Sequence, residues 1–191
     1  MKKVNKFLIV ALIAFMAMPV LNSCKKGADD PGISLKSRKS RLVGEWTLQS
    51  GTKTYVFSGQ TATMTFTNTM VTISYGGSTF TYQYTEKAEF MKNNTFKTTV
   101  MYDGEIEVTE GYWAFMEGYD DLKNKECIVI RVKSYLDPNG ATLYTGDEMP
   151  ASVWRFRKLS SKETIIDAEG TETSGGSSTY SYTSTMTYTK K

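Results

Sequence analysis

Between Thr52 and Thr85 four short segments of alternating apolar and polar side chains follow one another with almost nothing between them. Tyr55 and Phe57 lead into Gly59-Gln60. Ala62, Met64 and Phe66 then alternate with four threonines, and Asn68-Thr69 separates them from Val71, Ile73 and Tyr75. Gly76-Gly77 follows, and Phe80, Tyr82 and Tyr84 resume the pattern. A period of two residues is that of a strand with one buried face. Connections of two residues join only antiparallel neighbours, and Gly-Gly supplies the positive backbone angles that such a hairpin needs. This stretch therefore predicts a β-meander, and the rest of the chain has to supply a partner for its two edges.

Further strands are expected on both sides. Leu42 to Gln49, with Leu42, Trp46 and Leu48 in phase around Gly44, reads as the opening strand. Phe96 to Tyr102 lies between the reversal Asn93-Asn94 and the turn Asp103-Gly104, and Ile106 and Val108 continue beyond it. Tyr112 to Met116 is apolar on both faces and is read as a strand contributing to a lining or lid, with a short helix as the alternative, and Tyr119 to Glu126 is read as a charged loop. Glu126 to Ser134 is a central strand, ended by the turn Asp137-Pro138-Asn139-Gly140 and a loop to Pro150. Val153 to Leu159 sets Trp154 and Phe156 on one face and Arg155 and Arg157 on the other. Glu163 to Asp167 pairs back on it, and Glu169 to Ser178 is expected as a Gly/Ser/Thr loop. Tyr180, Tyr182, Ser184, Met186 and Tyr188 alternate along a final strand that can pair with the first. No long segment of the body carries a helical stripe. The expected fold is all-β: a closed or nearly closed antiparallel up-and-down barrel of about eight to ten strands.

The N-terminal part has a different character. A basic start (Lys2, Lys3, Lys6) precedes an apolar run, Phe7 to Val20, that is short for a spanning helix and reads as a signal segment. Leu21-Asn22-Ser23-Cys24 resembles a bacterial lipobox, which implies cleavage before Cys24 and a diacylglycerol on its thiol. Residues 1–23 are thus expected as a lipoprotein signal peptide, 24–40 as a polar flexible tether, and 41–191 as the barrel domain. Asp29-Asp30 resembles the acidic surface-export signal of some gram-negative lipoproteins. The expected location is the bacterial cell envelope, lipid-anchored at the outer membrane and facing either the periplasm or the surface.

Histidine is absent and the formal net charge is +3. The first observation removes the usual neutral-pH general base and the commonest zinc ligand. The second disappears with the signal-peptide lysines, so there is no electrostatic case for nucleic acid. Cys127, inside Cys127-Ile128-Val129-Ile130, reads as a small buried thiol. The carboxylate pairs Asp120-Asp121 and Asp147-Glu148 lie in polar loops, no Gly-x-Ser-x-Gly elbow is present, and Asp137 to Gly140 lacks the spacing of a calcium loop. No cofactor and no metal are expected, and no enzyme activity, the alternative being an uncharacterised hydrolase.

Leu42-Val43-Gly44-Glu45-Trp46-Thr47-Leu48 resembles the Gly-x-Trp opening motif of lipocalins, and the segment Val153 to Lys191 is similar to the tail of small bacterial lipoproteins with a lipocalin-like domain. The resemblance implies that Gly44 and Trp46 lie at the barrel floor, with Arg155 or Arg157 packed against the indole. It also implies a small hydrophobic or amphipathic ligand in the barrel, for which Tyr55, Tyr75, Tyr82, Tyr84, Tyr112 and Trp113 are the candidate lining. The alternative is a filled core, with the domain docking a protein or glycan through its loops. The residues leave the oligomeric state open.

Overall fold

A helical turn, α1 (Arg38–Leu42), precedes eleven strands: β1 (Gly44–Phe57), β2 (Gln60–Thr67), β3 (Met70–Tyr75), β4 (Ser78–Phe90), β5 (Thr95–Tyr102), β6 (Glu105–Phe115), β7 (Glu126–Asp137), β8 (Gly140–Leu143), β9 (Ala151–Leu159), β10 (Glu163–Ser174) and β11 (Ser178–Lys190). These come from a computed structural model that describes residues 37–116, 126–174 and 178–191. The expected signal peptide, Cys24, the tether as far as residue 36 and the loop carrying Asp120-Asp121 lie outside the described residues.

Every strand pairs antiparallel with its neighbours. The barrel is closed by β11 lying against β1 (Tyr188 opposite Leu48, Tyr182 opposite Tyr55) and by β6 lying against β7 (Trp113 opposite Ile130). Ten strands, β1 to β7 and β9 to β11, form the up-and-down wall, while β8 pairs with the far end of β7. The hairpins expected from sequence are present. Gly76 and Gly77 have φ of 57° and 81°, and Asp103 and Gly104 have φ of 49° and 88°. These are the positive angles of a two-residue reversal matched to strand twist.

The wall is not uniform. Near α1, β1 pairs directly with β4 (Gly44 opposite Phe90, Thr47 opposite Lys87); farther along, β1 pairs with β2 and β4 with β3. The hairpin β2–β3 is therefore inserted only in the half away from α1. The barrel narrows from ten strands at one end to eight at the other, and diameter follows strand number. The narrow end is packed solid with Leu42, Trp46, Leu48, Phe90, Phe96, Trp113, Ile128 and Leu159, all buried. Cys127 is also buried, as expected.

Three expectations are corrected. Leu42–Gln49 and Thr52–Ser58, read as two segments, belong to one 14-residue strand that starts at Gly44. A register shift between Leu48 and Ser50 changes the inward phase there, from Trp46 and Leu48 to Lys53 and Tyr55, which made one strand look like two. Residues 38–40, expected in the tether, are helical: the Ser37 hydroxyl caps the turn by accepting the Ser40 N–H at 3.2 Å. Most of the expected loop Glu169–Ser178 is strand, because β10 runs to Ser174 with Gly170 opposite Tyr182. A Cβ at Gly170 would sit 3.0 Å from the Tyr182 ring, so glycine here admits an aromatic neighbour rather than marking a loop.

Gly111 does comparable work at the closing seam. It lies at the β6–β7 register shift, where a Cβ would overlap the Arg131 carbonyl and approach Phe96 Cε1 to 2.8 Å. The obstruction is backbone, which cannot rotate aside. Gly111→Ala is expected to destabilise the domain by about 1–3 kcal/mol, read as a lower midpoint in urea unfolding. A midpoint equal to wild type would show that this seam can shift freely.

Candidate functional site

In the wide half the inward side chains do not meet, and a cavity of about 290 Å³ remains between β1, β2, β4, β9, β10 and β11. Its walls combine Met64, Phe66, Ile166 and Met186 with the rings of Tyr55, Tyr84, Trp154, Tyr182 and Tyr188. Two charged groups reach it, Lys53 from β1 and Glu86 from β4. The volume matches roughly ten molecules of liquid water, at the lower edge of small-molecule sites.

Glu86 is held in a defined posture. The Tyr188 hydroxyl donates to its Oε1 and the Tyr84 hydroxyl to its Oε2, each at 2.7 Å. Burial first, and then the Glu86 carboxylate, raise the ionisation of both phenols well above the ordinary tyrosine range, so both remain donors. Phe66 packs on Tyr84 with ring centroids 4.9 Å apart. Nearer the wide rim, the Lys53 ammonium lies 4.6 Å from the Tyr55 ring centroid and 4.3 Å from that of Tyr182.

A second interior carboxylate lies beside the first. Glu86 is opposite Val100, and Val100 is opposite Glu107. Both glutamates therefore face inward in one row, with Cα atoms about 10 Å apart across two strand spacings. Burial and then the nearby Glu107 carboxylate push the Tyr135 phenol up to about 12. Among the described residues no cluster of three or more Cys, Asp and Glu side chains is placed to hold a metal ion.

Of the six aromatic residues expected to line a ligand, Tyr55 and Tyr84 reach the cavity. Tyr82 packs on Tyr102 at 5.2 Å. Tyr75 is 49 % exposed at a hairpin end, where its hydroxyl donates to Gln60. Tyr112 and Trp113 fall on opposite faces of β6. Tyr112 is 45 % exposed, while Trp113 is buried in the narrow end against Phe90 and Phe115, its indole N–H donating to the Thr95 carbonyl at 3.0 Å. Lys53, Glu86, Trp154, Tyr182 and Tyr188 were missed. Glu86 had a readable signal, since it continues the inward series Tyr82, Tyr84 and precedes Ala88 and Phe90.

Trp46 does lie at the floor, and Gly44 opens β1 beside it. The expected arginine partners do not. Arg155 pairs with Glu169 at 2.9 Å, and Arg157 with Asp167 at 2.7 Å. Burial pushes the Asp167 carboxyl up, but hydrogen bonds from Arg157 and Thr185 outweigh it and leave the group below its usual range. The cation over the Trp46 ring is Lys190, 5.1 Å from the centroid, and its ammonium also donates to the Arg41 carbonyl at 2.7 Å. The alternation of β9 accounts for the difference: Trp154 lines the cavity, so its neighbour Arg155 points out, while Arg157 lies at the register shift opposite Ile165 and Ile166.

Compared with known proteins, the chain matches no family model, and no curated protein and no solved structure is significantly similar to it.

Proposed function

We propose that this protein binds one small amphipathic molecule in the wide half of its barrel, and does so while anchored by lipid on Cys24 at the bacterial cell envelope. The observation that carries the binding role is the cavity itself, an apolar and aromatic chamber in which one carboxylate is held by two phenols. A filled barrel would gain nothing from a carboxylate placed there that no ion pair among the described residues uses, because burying such a charge opposes folding. Binding rather than catalysis is the role these groups suit. The lipobox resemblance of Leu21 to Cys24 supports the anchor, and the reading of Phe7 to Val20 as a signal segment supports a location outside the cytoplasm.

A second reading, docking of a protein or glycan, draws on the outer face of the wide end. Ile106, Leu136 and Leu143 are 58 %, 47 % and 72 % exposed there on neighbouring strands.

Native mass spectrometry of the protein purified from its own cell extract tests the proposal. A reproducible non-covalent adduct of small-molecule mass is the expected result, and the denatured spectrum should add a diacylglycerol to a chain starting at Cys24. Apo protein alone, together with no uptake of short-chain probes, would overturn the binding role in favour of docking. An unmodified Cys24 would overturn the anchor.

A further inference from the structure

We propose that the head group recognised by this cavity is a cation, a protonated amine or quaternary ammonium, with Glu86 as its counter-ion and Tyr84 and Tyr188 fixing the carboxylate for it. This deepens the binding role above and rests on it.

The charge balance inside the barrel points this way. Tyr84 and Tyr188 orient both oxygens of Glu86, but they are neutral donors and leave its negative charge in place. A carboxylate offers about four acceptor positions, so roughly two remain for a ligand. Ion pairs of the described residues use Glu45, Glu110, Glu126, Glu163, Asp167 and Glu169, and none uses Glu86. Glu107, in the same inward row, adds a second negative charge. Against these, the described residues of the cavity wall include one cation, Lys53, whose ammonium lies over Tyr55 and Tyr182.

The surroundings suit a cation as well. Phe66, Tyr84 and Trp154 line the cavity with aromatic rings, and an ammonium gains from ring faces once water is displaced. A charge-assisted hydrogen bond in a partly dry site is also stronger than one made in water. Burial is the first cause of the upward displacement of the Tyr84 and Tyr188 phenols and opposes any charge, but the second, the Glu86 carboxylate, disfavours a phenolate and favours an ammonium. An anionic head paired with Lys53 is the opposite arrangement, and it would direct the rest of the ligand toward the Glu86 charge.

Titration calorimetry of the full chain at pH 7 with hexylammonium, hexanol and hexanoate separates the possibilities, since the three share a chain and differ in charge. Hexylammonium is expected to bind at least about ten-fold tighter than hexanol, with hexanoate weakest. In Glu86→Gln, which keeps an acceptor oxygen for one phenol, hexylammonium should weaken about ten-fold while hexanol changes less than about two-fold. The wild-type ranking is decisive without any variant. Equal or tighter binding of hexanol or hexanoate, or a cation preference that survives in Glu86→Gln, would overturn the proposal while leaving the cavity as a binding site. Failure of all three probes to bind would overturn both.

Discussion

Trp46→Ala is expected to destabilise the domain by about 3–5 kcal/mol, the cost of removing a large aromatic side chain from a packed site. Trp46 is 1 % exposed at the narrow end, where the wall has lost β2 and β3 and the indole fills what the remaining strands enclose. Its N–H donates to the Leu42 carbonyl at 2.7 Å, which ties the end of α1 to the start of β1. The Lys190 ammonium lies over its outer face and holds the last residues of β11 to the same point. Alanine would remove the plug, the α1 tie and the cation's ring together. Trp46→Phe retains much of the volume and should cost less, the difference including the lost hydrogen bond at about 1 kcal/mol. Urea unfolding at constant m-value measures both. A change below about 1 kcal/mol for Trp46→Ala would mean that the narrow end closes without the indole.

The period-two pattern made the fold class legible. Met64 and Phe66, Val71 and Ile73, and Tyr82 and Tyr84 each kept one face inward, and Gly76-Gly77 and Asp103-Gly104 turned where such pairs should. The pairing of Tyr188 with Leu48 could be anticipated because a sheet with two unpaired edges and a strand-like terminus gains most by closing. The site was harder to read. Its central contact joins Glu86 to Tyr188 across 102 residues, and no local pattern encodes a meeting at that separation. The irregularity at Gln49 shifted the phase of β1, so Lys53 could not be assigned to the interior from Trp46. The direct β1–β4 pairing, which makes one end narrow and the other wide, depends on where the β2–β3 hairpin stops. The end of the basic stretch before Arg41 looked like solvated tether because Arg38 and Lys39 are charged, yet it is the start of α1, and Arg41, which follows, is buried at 4 % exposure.

That arginine gives the second large expectation. Arg41 and Glu126 are buried in the narrow end, their side chains 5 % and 0 % exposed, with Nη2 and Oε1 3.4 Å apart. Arg41 Nη1 also donates to the Leu159 carbonyl, so one guanidinium links α1 to the start of β7 and the end of β9. Arg41→Met leaves a buried carboxylate short of the positive charge it packs against and should cost about 3–5 kcal/mol. Glu126→Leu should cost a comparable amount for the converse reason. The informative variant is the pair. Replacing both by apolar residues of similar volume removes two desolvated charges at once, and such replacements are often neutral or stabilising. Arg41→Met/Glu126→Leu is therefore expected to be more stable than either single variant, with a coupling of at least about 1 kcal/mol in a double-mutant cycle. Costs that simply add would show that the two charges do not sense each other, and that Arg41 acts through contacts other than Glu126, the Leu159 carbonyl among them. A recovered double variant would show that α1 docks by burying surface, with the ion pair selecting the geometry in which it does so.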